Sequence, residues 1–139
     1  MKLHTLLDNL SKSYLAIMAT YYTIEQPETF LKNNWYCAKW PSGEFECYGG
    51  FDIYITSHSK KENIYQAIWE GTLEFPITFP GAPKIVVTNS TTDTAYYVAS
   101  VAFVVRDINK IYQMYFQRAT AFANNAKISL NIIAKGRWK

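Results

Sequence analysis

Residues 35–50, Trp-Tyr-Cys-Ala-Lys-Trp-Pro-Ser-Gly-Glu-Phe-Glu-Cys-Tyr-Gly-Gly, constrain the chain more than any other stretch, because they read as a β-hairpin with a fixed register. Pro41 pre-sets φ for the second position of a type I turn, Ser42 suits the third, and Gly43 accepts the left-handed conformation that follows. A three-residue loop 41–43 sets Trp40 opposite Glu44, Ala38 opposite Glu46, Cys37 opposite Cys47 and Tyr36 opposite Tyr48. Strand side chains alternate between faces, so Trp35, Cys37, Lys39, Phe45, Cys47 and Gly49 form one surface. That set is mostly apolar and is expected to be buried. The other set puts Tyr36, Trp40 and Tyr48 beside Glu44 and Glu46 and is expected to be partly exposed.

The rest of the chain supports an all-β reading. Its 139 residues suffice for one domain with a real core, and 17% are aromatic, with eleven Tyr, eight Phe and four Trp. Charged residues make up only 18%, below the usual quarter, which suits wide intersubunit or ligand-binding surfaces and argues against disorder. A net charge of +3 permits attraction to an anionic surface such as a bacterial wall polymer. No basic stripe of the kind a nucleic-acid binder carries is present.

Two cysteines define no disulfide framework. Facing each other in the hairpin register, Cys37 and Cys47 are compatible with a cross-strand bridge or with two thiols packed as small hydrophobes, and the second reading is preferred. His4 and His58 are isolated, so no metal site is expected. No cofactor motif is found. Polar residues His4, Asp8, Asn9 and Lys12 interrupt the N-terminal segment, so no signal peptide is expected, and no apolar run reaches membrane-spanning length.

Residues 2–23 read as the one helix. Leu3, Leu10 and Ile17 recur at seven, with Leu7, Tyr14 and Tyr21 between them, filling six positions of a three-heptad apolar seam. The seam fits either self-association, as a trimeric coiled-coil stalk over 1–24, or a helix lying on its own domain. Residues 23–34 read as a connector.

Beyond the connector the period changes to short strands. The hairpin is followed by a strand at 51–56, a polar loop at 57–63 and a long strand at 64–75. In that long strand Gly71 reads as a bulge that re-aims Trp69. The proline-punctuated 75–83 is a crossing segment. A compact buried strand is expected at 84–88, a polar turn at 89–94, and strands at 95–105, 110–118 and 127–134, with a loop at 120–125. Regular turn signals without intervening helices indicate an antiparallel β-sandwich over 25–139, jelly-roll-like, preceded by one α-helix.

The pattern Trp35-x-x-x-Lys39-Trp40-x-Ser42-Gly43-x-x-Glu46-Cys47-x-Gly49 resembles a signature of C-terminal domains in structural proteins of tailed phages and prophages of Gram-positive bacteria. The downstream order agrees: Phe75-Pro76, Phe79-Pro80 and Ala82-Pro83, then a hydrophobic strand, then an alternating strand running into Gly136-Arg137-Trp138-Lys139. Two positions depart from it, Cys37 where a Tyr is usual and Tyr48 where a Trp follows the Cys. The resemblance implies a trimeric tail-fibre or receptor-binding tip on the virion surface, recognising host glycan such as wall polysaccharide or a teichoic-acid-like polymer. Tyr36, Trp40 and Tyr48 would then offer ring faces to sugar C–H groups while Glu44 and Glu46 take hydroxyls. The same rings also suit a subunit interface. A head fibre, decoration or assembly protein without glycan binding is the alternative.

An enzyme is not expected. Glu44 and Glu46 sit about 6–7 Å apart by strand rise, close to the roughly 6.5–9.5 Å of inverting glycosidases. A hairpin tip, however, offers no cleft around a scissile bond. The chain also lacks a nucleophile elbow and a phosphate-cradling glycine loop.

Overall fold

Alternating inward and outward side chains build two antiparallel sheets, one behind the other, with a helix leading into the first. The structure, a computed structural model, describes residues 2–90 and 99–139, and the side chains of residues 20–25 lie outside that description. The elements are α1 (Leu3–Glu25), β1 (Glu28–Lys32), β2 (Trp35–Lys39), β3 (Glu44–Tyr54), β4 (Ser57–Lys61), β5 (Ile64–Glu74), β6 (Lys84–Asn89), β7 (Ser100–Arg106), β8 (Lys110–Arg118) and β9 (Lys127–Arg137). One sheet runs β1-β2-β3-β9-β6 and the other β4-β5-β8-β7. The chain steps between sheets from β3 to the β4–β5 hairpin, from β5 to β6, from β6 to β7 and from β8 to β9. It thereby wedges β9 between β3 and β6, and β8 between β5 and β7. This is the interleaving of a jelly roll, so the expected mainly β sandwich with one N-terminal helix is the fold observed.

The core is the apolar hairpin face packed on the proline-rich crossing. Trp35, Phe45 and Cys47 are fully buried and Cys37 nearly so. Phe45 meets the Phe79 ring edge-on at 5.7 Å and Phe30 at 6.1 Å, and Phe79 in turn meets Phe75 at 5.4 Å. Trp35 lies 4.7 Å from Phe51 and 5.8 Å from Phe75, and its indole N–H donates to the Glu74 carbonyl at 2.8 Å, pinning β2 to the end of β5. From β9, Ile128, Leu130, Ile132 and Ala134 line the same core, with Ala67, Ile111, Met114 and Phe116 opposite. Gly136 is glycine because Phe79 packs over it: a Cβ there meets the ring at 2.9 Å.

Some expected boundaries need correction. The connector 23–34 contains β1, joined to β2 by the two-residue turn Asn33-Asn34, with φ of 55° and 66°. That is type I′ hairpin chemistry. The loop expected at 57–63 is β4 and its turn into β5, with Lys61 facing Ile64. Both strands are edges with few apolar side chains, and backbone pairing defines them. The hairpin's return arm and the strand expected at 51–56 are one continuous strand, β3. The 84–88 strand is an edge whose alternate residues face outward, so it is only half-buried. The turn expected at 89–94 and the strand expected at 95–105 fall partly outside the described residues. The bulge at Gly71 is present: the β5–β8 register shifts between Glu70 and Leu73, and the Trp69 ring lies where a Gly71 Cβ would go.

Candidate functional site

The hairpin turn forms as its residues dictate. Trp40 N–H donates to the Glu44 carbonyl at 2.9 Å and Gly43 N–H to the Trp40 carbonyl at 3.0 Å, while Gly43 holds φ at 103°. Tyr36 faces Tyr48, Cys37 faces Cys47 and Ala38 faces Glu46, the register read from the turn. The last residues of the chain close over this turn. Trp138 N–H donates to the Gly43 carbonyl at 2.9 Å, the Trp138 indole to the Trp40 carbonyl at 2.7 Å, and the Arg137 guanidinium to the Ser42 carbonyl at 3.0 Å. Lys39 Nζ lies 4.1 Å above the Trp138 ring, which explains a lysine among the inward-facing set.

On the outward face Tyr36 and Tyr48 stack at 5.3 Å, 20° from parallel. They are not an isolated pair. Leu31 faces Tyr36, Tyr48 faces Ile133 and Ile133 faces Val86. One apolar row thus crosses all five strands, each member 40–63% exposed. Sequence reasoning missed Leu31, Ile133 and Val86, since only the register of β1, β9 and β6 aligns them with the tyrosines.

The five expected ligand residues do not gather at one spot. Tyr36 and Tyr48 belong to the apolar row, and Glu46 sits one step above it with its carboxylate 3.9 Å from Lys135. Glu44 lies further on, at the rim of a groove of about 570 Å³ whose other walls are Pro80, Gly81, Ala82, Lys84, Lys135, Gly136, Arg137 and Lys139. Trp40 is half-buried, and its carbonyl accepts from the Trp138 indole. The rings therefore offer stacking surface in one place and the carboxylates polar contacts in another.

The expected helix seam is open to solvent. Leu3, Leu7, Leu10, Tyr14 and Ile17 are 57–71% exposed, and Tyr21 lies among the residues whose side chains are not described. Among the described residues no strand buries this face. Cys37 and Cys47 are free, buried thiols. Burial pushes both thiols up, Cys47 to about 12 with Cys37 beside it adding to the rise. Among the described residues no group of His, Cys, Asp and Glu could hold a metal ion, and no helix is long and apolar enough to cross a membrane.

No family model matches the chain, and no curated protein does. Solved structures do. The N-truncated R1-type pyocin tail fibre superposes with a TM-score of 0.55 at 18% identity, over 87% of this chain and 94% of that one. The N-truncated R2-type pyocin tail fibre gives a TM-score of 0.49 at 14% identity, and there the match spans 79% of this chain but only 37% of the fibre chain. The Gram-positive association remains an implication of the motif resemblance alone. The fold of this chain is one it shares with the R1-type pyocin tail fibre.

Proposed function

We propose that the protein is a structural component of a phage-type particle, a tail-fibre-like module that trimerises and attaches the particle to a host-surface glycan. It takes part in no catalysis. On this reading it sits on the virion surface and is joined to other virion proteins. The fold likeness supports the fibre class. The single observation that carries the reading is the exposed seam of α1: five apolar positions at heptad spacing, Leu3, Leu7, Leu10, Tyr14 and Ile17, have no cover among the described residues. Exposed apolar area of that kind marks an association surface. Three such helices bury one another, and a closed ring leaves no seam open.

A second reading is favoured by the row Leu31–Tyr36–Tyr48–Ile133–Val86. Aliphatic side chains flanking the stacked tyrosines are the chemistry of protein interface cores. A head fibre or decoration protein that only glues particle parts together would use such a row. Fluorescently labelled protein distinguishes the two. Adhesion to host cells that disappears when surface glycan is stripped supports attachment, and an absence of adhesion assigns the module to assembly.

A further inference from the structure

The groove at the end of the five-stranded sheet carries a charge arrangement that the fold does not need. Lys84 on β6 lies directly opposite Lys135 on β9. Like charges facing each other across strands are destabilising, so this pair opposes folding. Lys135 is relieved by Glu46 at 3.9 Å, whereas no ion pair among the described residues engages Lys84 or Lys139. Arg137 lies two residues beyond Lys135 on the same strand face, and its guanidinium is aimed by the carbonyl oxygen of Ser42 at 3.0 Å and the main-chain oxygen of Lys139 at 3.2 Å. Those acceptors orient the fork and leave donor capacity over. Glu44 is the one acidic side chain among the described residues lining the groove, and the Gly81 wall is open backbone with nothing within 4 Å of a Cβ position. The volume of about 570 Å³ suits a sugar-sized group.

We propose that this groove is a binding site for the anionic group of a saccharide polymer, a phosphodiester or a uronic carboxylate. Lys84 supplies a charge with no ion-pair partner among the described residues, Lys139 an ammonium held 4.8 Å from the Trp138 ring, Arg137 an oriented fork, and Glu44 accepts from a neighbouring hydroxyl. An anion between Lys84 and Lys135 removes the cross-strand repulsion, so the destabilising pair becomes a ligand clamp. The proposal deepens the attachment reading by naming the chemical class of the glycan, and it rests on that reading for its biological meaning only.

The test is isothermal titration of the full chain with a glycerol-phosphate oligomer, with hexagalacturonate and with a neutral malto-oligosaccharide. The first two arms separate phosphate from carboxylate. Binding of either anionic probe, weakened by added salt and absent for the neutral one, is expected. Lys84→Gln and Lys139→Gln should each lower affinity on the order of tenfold, the worth of a hydrogen bond to a charged group. Lys84→Glu should abolish binding while leaving the melting midpoint equal or higher, because it turns a repulsive pair into an attractive one. Unchanged affinity in Lys84→Glu, equal binding of the neutral probe, or no binding of either anion by the unaltered chain overturns the inference. Host-cell adhesion measured on the same variants keeps the two levels apart: adhesion that survives Lys84→Glu sinks the groove but leaves attachment standing.

Discussion

The indole N–H of Trp138 donates to the carbonyl of Trp40 across 2.7 Å, joining positions 98 residues apart. The end of the chain therefore acts as a clasp on the hairpin turn. β9 pairs along the whole of β3, from Glu44 with Arg137 to Tyr54 with Lys127, and the clasp extends that pairing past the last ladder position. Trp138→Phe keeps the ring and loses the donor, which should cost about 1 kcal/mol. Trp138→Ala removes the half-buried ring as well and should cost about 2 kcal/mol. Urea denaturation of both variants checks the order: an unchanged midpoint in Trp138→Phe would show that the N–H contributes nothing, and equal losses in the two would show that the ring adds nothing beyond it.

Phe45 is fully buried between Phe30 and Phe79. Phe45→Ala should lower stability by about 3–5 kcal/mol through lost transfer energy and the cavity left behind. An unchanged melting midpoint would contradict the placement of the hairpin's apolar face in the core.

Gly43 holds φ at 103°, and a Cβ there meets the Arg137 guanidinium at 2.5 Å. Gly43→Ala should cost on the order of 1–3 kcal/mol from backbone strain. It should also displace Arg137 from the Ser42 carbonyl. Thermal melts of Gly43→Ala alone and combined with Arg137→Ala test the coupling, because the two losses should add to less than their sum.

The cysteine pair yields a prediction in pH. Burial raises Cys47 from 9.0 to about 12 in the folded chain. Above pH 9 the unfolded chain loses a thiol proton that the folded chain keeps, so stability falls as pH rises from 9 towards 12. Below pH 9 the thiol contributes no pH dependence. Cys47→Ala should therefore lose less stability than the unaltered chain over that interval, measured by urea midpoints at matched ionic strength. A reductant should leave the midpoint unchanged, since no loop is closed by a bridge. A drop on reduction would establish a Cys37–Cys47 disulfide.

What the sequence made legible, and what it hid, follows from how local each determinant is. The hairpin register could be read because Pro41-Ser42-Gly43 sets loop length and the alternation of Trp35, Cys37, Phe45 and Cys47 sets the face. β1 and β4 were hidden because Phe30 is the only inward ring in one and every residue of the other is exposed. Their existence depends on backbone pairing with β2 and β5. The Asn33-Asn34 dipeptide did carry a hairpin signal, and it lay inside a stretch read as a connector. The apolar row and the groove were hidden for a further reason. Tyr48, Ile133 and Val86, or Lys84 and Lys135, become neighbours only when β9 inserts between β3 and β6. No local pattern encodes that step.

Molar mass by light scattering over a concentration series tests the proposed trimeric fibre module. A trimer gives a species at three times the 16.0 kDa chain mass that persists to micromolar concentration. About three heptads is marginal for an isolated coiled coil, so the sandwiches must pack about the same axis. Leu10→Asp should accordingly shift the mass towards monomer while circular dichroism of the sheets stays intact. A chain that remains at 16.0 kDa at micromolar concentration, with α1 still helical, would rule out the trimer.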